Sequence, residues 1–298
     1  MARTLDLARS RILVTNDDGI ASPGLTVLAD AALAAGHEVT VVAPFRQYSG
    51  ASAAITSVEA DGQLVFVDER PPGLDPSVRA VGVKAAPGLI GFVASSGAFG
   101  MVPDIVLSGV NLGANTGKAI LHSGTVGAAL SAAAHGCKGM AVSIASAEPQ
   151  HWDSARLVVD HALAWLAATD MGDRIINVNV PDVAPERLRG LRPARLASFG
   201  AVQARVREEG HGFVQLEYSS VVPNEEPDSD HHLLTRGWAT WTLLRAPVAD
   251  RGGLELPRID MAGEATGRLD MSAGVVMRGV VVHEAVADDL GEEPADEP

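Results

Sequence analysis

The chain holds one cysteine, Cys137, in 298 residues. A single cysteine excludes an internal disulfide framework and any cysteine-based zinc cluster. Cations are also scarce: 23 Lys and Arg against 37 Asp and Glu give a formal net charge of −14. A duplex nucleic-acid binder needs clustered Lys and Arg to displace counterions, so that class is excluded. A small phosphorylated substrate stays open if a bound metal ion supplies positive charge. Met1 to Ser10 is charged and lacks an apolar core, so no secretory signal is expected. Ala85 to Pro103 is uncharged for about the length of a membrane span. Pro87, Gly88, Gly91, Gly97 and Gly100 interrupt it, and it reads as a buried Gly-rich helix. The expectation is a soluble, cytoplasmic protein with no membrane partner.

The hydrophobic share of 47% and the charged share of 20% are those of a chain able to bury a core, in one large or two modest domains. Arg11 to Thr15 is a β-rich run ending in Asn16-Asp17-Asp18-Gly19. Ser22 and Pro23 have the residue types of an N-cap and first helical position. Leu25, Leu28, Ala29, Ala32 and Leu33 recur at helical spacing, Gly36 is a stop, and Glu38 to Ala43 is a second strand. Such a β-α-β unit implies parallel strands with a right-handed crossover.

The alternation resumes with a strand over 104–107, an Ala-rich helix from Gly124 to His135 and a strand from Met140 to Ile144. Next come an amphipathic helix from Ser154 to Ala167 and a strand from Arg174 to Val180. Leu157, Val158, His161, Ala162, Trp165 and Leu166 are expected on one side of that helix. The fold class predicted is α/β: a doubly wound, mostly parallel, Rossmann-like sheet with an antiparallel C-terminal appendage. The appendage is expected from Phe213–Tyr218 and Trp238–Leu243, two strand patterns without helices between them. The division expected is 1–183 catalytic, 184–245 a β-rich oligomerisation arm, and 246–298 a C-terminal extension. From His283 onward stand seven acidic residues and no Lys or Arg, half the net charge; such runs are usually solvated tails.

Ligands of doubly wound folds bind at the carboxyl ends of strands, and three polar strings fall there. In Asn16-Asp17-Asp18-Gly19 two neighbouring carboxylates repel and gain from a shared hard cation, although the same residues also make an ordinary Asx turn. Arg46 to Ser52 follows the second strand and by itself reads as a surface loop. Ser108 to Gly117 carries Asn111 and Asn115 and leads to His122-Ser123-Gly124-Thr125, a helix start suited to phosphate or, equally, a plain Ser123 N-cap. Common motifs are missing. Gly113-x-x-x-Gly117-Lys118 is one residue short of a P-loop. No serine is flanked by glycines as in a nucleophile elbow. There is no His-Glu-x-x-His. His231-His232 is read as solvated, and Cys137 as a packed thiol.

Together the strings resemble the SurE family of survival-protein nucleotidases. The resemblance rests on Ile12 to Ile20, Val41-Val42-Ala43-Pro44 with Ser49, Ser108-Gly109-Val110-Asn111-x-Gly113-x-Asn115 and His122 to Ala129. Asn177-Val178-Asn179-Val180-Pro181 and Asp228-x-Asp230 with Gly237-Trp238 agree more loosely, and the match runs over roughly residues 11 to 245. The resemblance implies a metal-dependent 5'-nucleotidase, a phosphoric monoester hydrolase acting on nucleoside monophosphates. It implies one divalent metal ion per subunit, Mg²⁺ or Mn²⁺, held by Asp17, Asp18, Ser49 and Asn111. Asp17 and Asn111 would be catalytic, with Asn115, Ser123, Gly124 and Thr125 around the substrate phosphate. A homodimer or homotetramer is also implied.

This chain departs from the family pattern in places. Gly82-Val83-Lys84-Ala85-Ala86-Pro87 stands where Gly-Thr-Pro-Ala-Asp-Cys is usual. Leu112 replaces an arginine, Ala53 a histidine and Ser131 a glutamate. The departures suggest an altered substrate pocket with weak selectivity, or a weakly active or non-catalytic binding protein on the same scaffold. A transferase of Rossmann type would need a Gly-x-Gly loop after the first strand, where Asn16 to Gly19 stands instead.

Overall fold

A computed structural model describes residues 9–57, 59–60, 63–198, 203–210, 213–219 and 226–247. In chain order the elements are β1 (Arg11–Thr15), α1 (Pro23–Ala34), β2 (Glu38–Pro44), β3 (Glu59–Ala60), β4 (Gln63–Leu64), β5 (Phe66–Val67), β6 (Arg79–Val83) and α2 (Pro87–Ser95). Then follow β7 (Ile105–Leu112), α3 (Gly124–Ala134), β8 (Lys138–Ile144), α4 (Trp152–Ala168) and β9 (Arg174–Val180). The last part holds β10 (Leu191–Pro193), β11 (Gln203–Gly210), β12 (Phe213–Ser219), α5 (Asp230–Leu234) and β13 (Ala239–Arg245).

Nine strands form one sheet in the order β10-β13-β9-β8-β7-β1-β2-β6-β5. The run from β9 to β6 is parallel, β13 pairs antiparallel to β9 and β5 antiparallel to β6, and β10 lies parallel to β13. α1 and α4 pack on one face over Val14, Leu107, Met140 and Ile176. α2 and α3 cover the other, over Leu13, Val42, Val106 and Ala141. The strands are apolar on both faces because both are roofed by helices. Burial of side chains such as Leu28 or Leu163 contributes about 1.5–3 kcal/mol each.

The expected β-rich appendage is divided between two places. Ala239–Arg245 is a strand of the main sheet, joined to β9 through six residue pairs, and β10 lies outside it. The expected division at residue 183 therefore cuts through one continuous sheet. β11 and β12 pair with each other as a separate antiparallel ribbon. The acidic end from His283 lies outside the described residues, as do residues 248–282.

Four local readings are corrected. The strand expected over 104–107 continues to Leu112, taking in part of a string read as loop. α4 buries Ser154, Ala155, Val158, Val159, Ala162, Leu163 and Leu166, which leaves Leu157, His161 and Trp165 on its exposed flank. Ser22 occupies the N-cap position of α1, but its side chain makes no capping bond. His231 and His232 are half-buried on α5 rather than solvated in a loop.

Two expectations hold. Pro87–Ser95 of the Gly-rich segment forms the largely buried helix α2; separately, among the described residues no helix is long and apolar enough to cross a membrane. Cys137 is buried, with Sγ 3.4 Å from the Pro103 carbonyl.

Candidate functional site

From β1 the chain returns by α1 to β2 on one side, whereas β7 pairs with β1 on the other. The carboxyl ends of β1 and β7 therefore flank the point where strand order reverses, the usual ligand crevice of such sheets. Asn16 to Gly19 leaves β1 there. Asn16 closes the turn, Nδ2 donating to the Gly19 carbonyl at 3.1 Å and Oδ1 accepting the Gly19 N–H at 3.2 Å. Gly19 has φ +101°, and an added Cβ would stand 3.2 Å from the Arg46 backbone. The turn thus needs glycine and leaves the two aspartates as the free functional groups.

Asp17 is buried, and the Thr125 hydroxyl in the first turn of α3 donates to its Oδ1. An added Cβ on Gly124 would lie 2.8 Å from Asp17 Oδ2, so the helix start and the carboxylate touch only because that side chain is missing. Asp18 Oδ2 accepts the Leu112 N–H at 3.3 Å, which ties it to the end of β7 beside Asn111. Burial pushes the Asp17 carboxyl upward, opposed by the Thr125 hydroxyl. Burial, and secondly the Asp17 charge, push Asp18 up to about 6. Two neighbouring carboxylates, both held high chiefly by burial, would gain from a shared cation.

Tyr48 donates its N–H to the Asp17 carbonyl at 2.7 Å, bringing the loop after β2 against the aspartates. Ser49 follows it, exposed, with Oγ accepting from Gln47 Nε2 at 2.8 Å. Asn111 Nδ2 donates to the Gly113 carbonyl at 2.7 Å, leaving Oδ1 as its acceptor. Among the described residues no cluster of three His, Cys, Asp or Glu exists. A cation here would be held by two carboxylates, a hydroxyl and an amide oxygen, a hard donor set that fits Mg²⁺ or Mn²⁺.

Of the residues expected around phosphate, Gly124 and Thr125 adjoin Asp17. Ser123 is the α3 N-cap, its Oγ accepting from Val126 N at 3.1 Å. Asn115 is turned into the sheet: Nδ2 donates to Ser143 Oγ at 2.9 Å, and its carbonyl accepts from Asn177 and Asn179 Nδ2, each at 2.9 Å. One amide N–H of Asn115 remains for a ligand. Asp230 holds the same loop further on, accepting from Gly117 N at 2.9 Å and Ala197 N at 3.0 Å.

These supports were not assigned roles from the sequence. The available signal was Asn177 and Asn179 at i and i+2 in an apolar strand, where one face carries two polar groups that need partners.

A family model described as Survival protein SurE matches residues 12–201. The chain belongs to the SurE family. It is 34% identical over 244 residues to a 5'-nucleotidase SurE of Methylococcus capsulatus, covering 78% of this chain and 90% of that protein. A 5'-nucleotidase SurE of Stenotrophomonas maltophilia is 32% identical over 251 residues, covering 82% and 93%. A crystal structure of the SurE protein from Aquifex aeolicus aligns with TM-score 0.64 and 26% identity, over 80% of this chain and 95% of that one.

The departures from the SurE pattern can now be placed. Val83, Ala85 and Ala86 are fully buried in the core with Leu89 and Ile90 of α2, so they do not line a substrate pocket. Ser131 donates to the Gly88 carbonyl at 2.9 Å, joining α3 to α2. Leu112 is partly exposed beside Asp18 and lies on the rim of the site.

Proposed function

We propose that the chain is a metal-dependent phosphomonoesterase of the 5'-nucleotidase type, acting on nucleoside monophosphates. The observation that carries this reading is the adjacent pair of buried Asp17, packed against the first turn of α3, and half-buried Asp18, tied to the end of β7. Asp17, Asp18, Ser49 and Asn111 would hold one divalent ion, Mg²⁺ or Mn²⁺. Bound there, it would polarise phosphoryl oxygens and lower the pKa of water. Thr125 keeps Asp17 in one orientation by donating to Oδ1. The N–H groups of Gly124 and Thr125 lean on the Asp17 carboxylate and that of Val126 on Ser123 Oγ, so the start of α3 would favour the phosphoryl charge through its dipole. Asp17 and Asn111 are the residues assigned to the reacting centre.

The ribbon β11–β12 supports an oligomerisation arm, because an isolated two-stranded ribbon is marginal in water. We assign the protein as a homodimer or homotetramer on that basis, to be measured by light scattering. The hydrolysis reading is tested by a screen of nucleoside monophosphates, sugar phosphates and polyphosphate with Mg²⁺, Mn²⁺ or chelator. Activity should vanish with chelator and in Asp17→Asn or Asp18→Asn, with the circular dichroism spectrum retained. Full hydrolysis in excess chelator would remove the reading.

A further inference from the structure

One surface departs from the acidity of the rest. Arg187, Arg189, Arg192 and Arg236 are all exposed, on the segments that lead into and pack beside Trp238. The guanidinium carbons of Arg189 and Arg192 each lie 4.9 Å from the Trp238 ring centroid. Arg189 Nη1 is 3.5 Å from the Arg236 carbonyl, and Arg189 N donates to the Gly237 carbonyl at 3.0 Å, next to Arg187. Salt bridges among the described residues join Arg11 to Asp104, Arg156 to Asp160 and Arg245 to Asp173, none of them here. Two guanidinium groups are thus held on Trp238, with Arg187 and Arg236 close by in the chain and Arg236 Nη1 donating to the His232 carbonyl at 3.2 Å; Glu186 is the one acidic residue in the 185–192 stretch.

We infer that this arginine cluster is the docking surface for the chain's own acidic end, Glu284 to Glu297. That segment contributes seven carboxylates and no Lys or Arg. The tether has a suitable length. The described chain ends at Pro247, about 30 Å from Trp238 at about 3.3 Å per residue along β13. The 37 residues from Pro247 to Glu284, taken as a coil, have a root-mean-square span of about 30–36 Å. A span matched to the distance maximises effective concentration, in the millimolar range, so even weak exposed ion pairs suffice when several act together. Guanidinium forks suit carboxylates in particular. A nucleic acid is the weaker candidate. The Trp238 ring already carries two guanidinium groups, and a free polyanion must approach a molecule of net charge −14.

The test uses a synthetic peptide of residues 283–298, titrated by calorimetry into the full chain and into a chain ending at Val282. The shortened chain should bind the peptide at 20 mM NaCl and lose at least about tenfold in affinity at 300 mM. The full chain should bind it at least about tenfold more weakly, because its own end occupies the surface. Arg189→Ser with Arg192→Ser should abolish binding. Arg187→Gln with Arg236→Gln, which spares the Trp238 stack, should weaken it if the first pair unfolds. The inference is overturned if the shortened chain binds no peptide, if both chains bind equally, or if neither arginine pair matters. It is also overturned if a short single-stranded oligonucleotide binds the full chain as tightly as the shortened one.

Discussion

Asn179 and Asn115 exchange two hydrogen bonds: Asn115 N donates to Asn179 Oδ1 at 2.8 Å, and Asn179 Nδ2 donates to the Asn115 carbonyl at 2.9 Å. The side-chain amide of Asn179 thus completes a ladder rung that the departing loop after β7 can no longer make with a strand. Asn177 adds a second donor to the same carbonyl.

Asn179→Ala leaves the Asn115 N–H without its partner, while the Asn115 carbonyl keeps the Asn177 amide, a loss of about 1–3 kcal/mol if the N–H stays buried. It should also let the loop proposed to carry phosphate contacts drift, lowering kcat/KM by roughly tenfold or more. Mn²⁺ affinity should be unchanged, because the aspartates are held elsewhere. Steady-state kinetics and a Mn²⁺ titration check this, and unaltered kcat/KM would dismiss the positioning role.

Gly124→Ala tests the contact between α3 and Asp17. Alanine is the better helix former by about 1 kcal/mol, but its Cβ would stand 2.8 Å from Asp17 Oδ2. The expected result is loss of most Mn²⁺ affinity and activity with the fold retained, read by metal titration and circular dichroism. A variant that is both more stable and fully active would show that α3 does not press on the carboxylate.

His37 gives a pH dependence remote from the aspartates. Burial lowers its pKa, and its Nδ1 accepts the Ser10 N–H at 3.2 Å, which requires the neutral ring. A base with its folded pKa depressed contributes stability above its unfolded value, about 6.5, and loses it as pH falls through the lower folded value. Thermal denaturation from pH 7.5 to 5 should show this loss, and His37→Gln should flatten it. Identical slopes for both proteins would exclude His37 as the cause.

Cys137 should resist modification. It is 3% exposed and its thiol is pushed up to about 11, chiefly by burial. At pH 8 only about one thiol in a thousand is then ionised. Ellman's reagent should label the native protein far more slowly than the urea-unfolded one; equal rates would mean that the packing beside Pro103 opens readily.

The β1-α1-β2 unit was legible because its apolar period switches cleanly from two to 3.6 and glycine and proline punctuate the joints. The end of β7 was not. Ser108-Gly109-Val110-Asn111 has turn composition, yet Gly109 is there because a Cβ would sit 2.2 Å from the Val142 carbonyl. On α4 the large residues Leu157 and Trp165 drew the expected stripe, whereas smaller Ala155, Val159 and Ala162 form the buried face. Val83 and Ala86 were taken for pocket residues because motif comparison carries no depth, and both lie in the core. In the site, charge repulsion marked the two aspartates as a candidate pair, but the same residues suit an Asx turn, and the family pattern was needed to choose between the two. The remaining ligands came from the family pattern, and the pairing of Asn115 with β9 needed strands far apart in sequence.

The two ends of the nine-stranded sheet are β5, with two residues, and β10, with three including Pro193. Each border offers a visiting strand few rungs, and proline removes a donor from one of them. Addition of a neighbour's backbone to this sheet is therefore blocked at both margins, a safeguard against fibrous stacking. A second copy of the chain is thus expected to meet this one through side-chain surfaces or through the separate ribbon, not by prolonging the sheet.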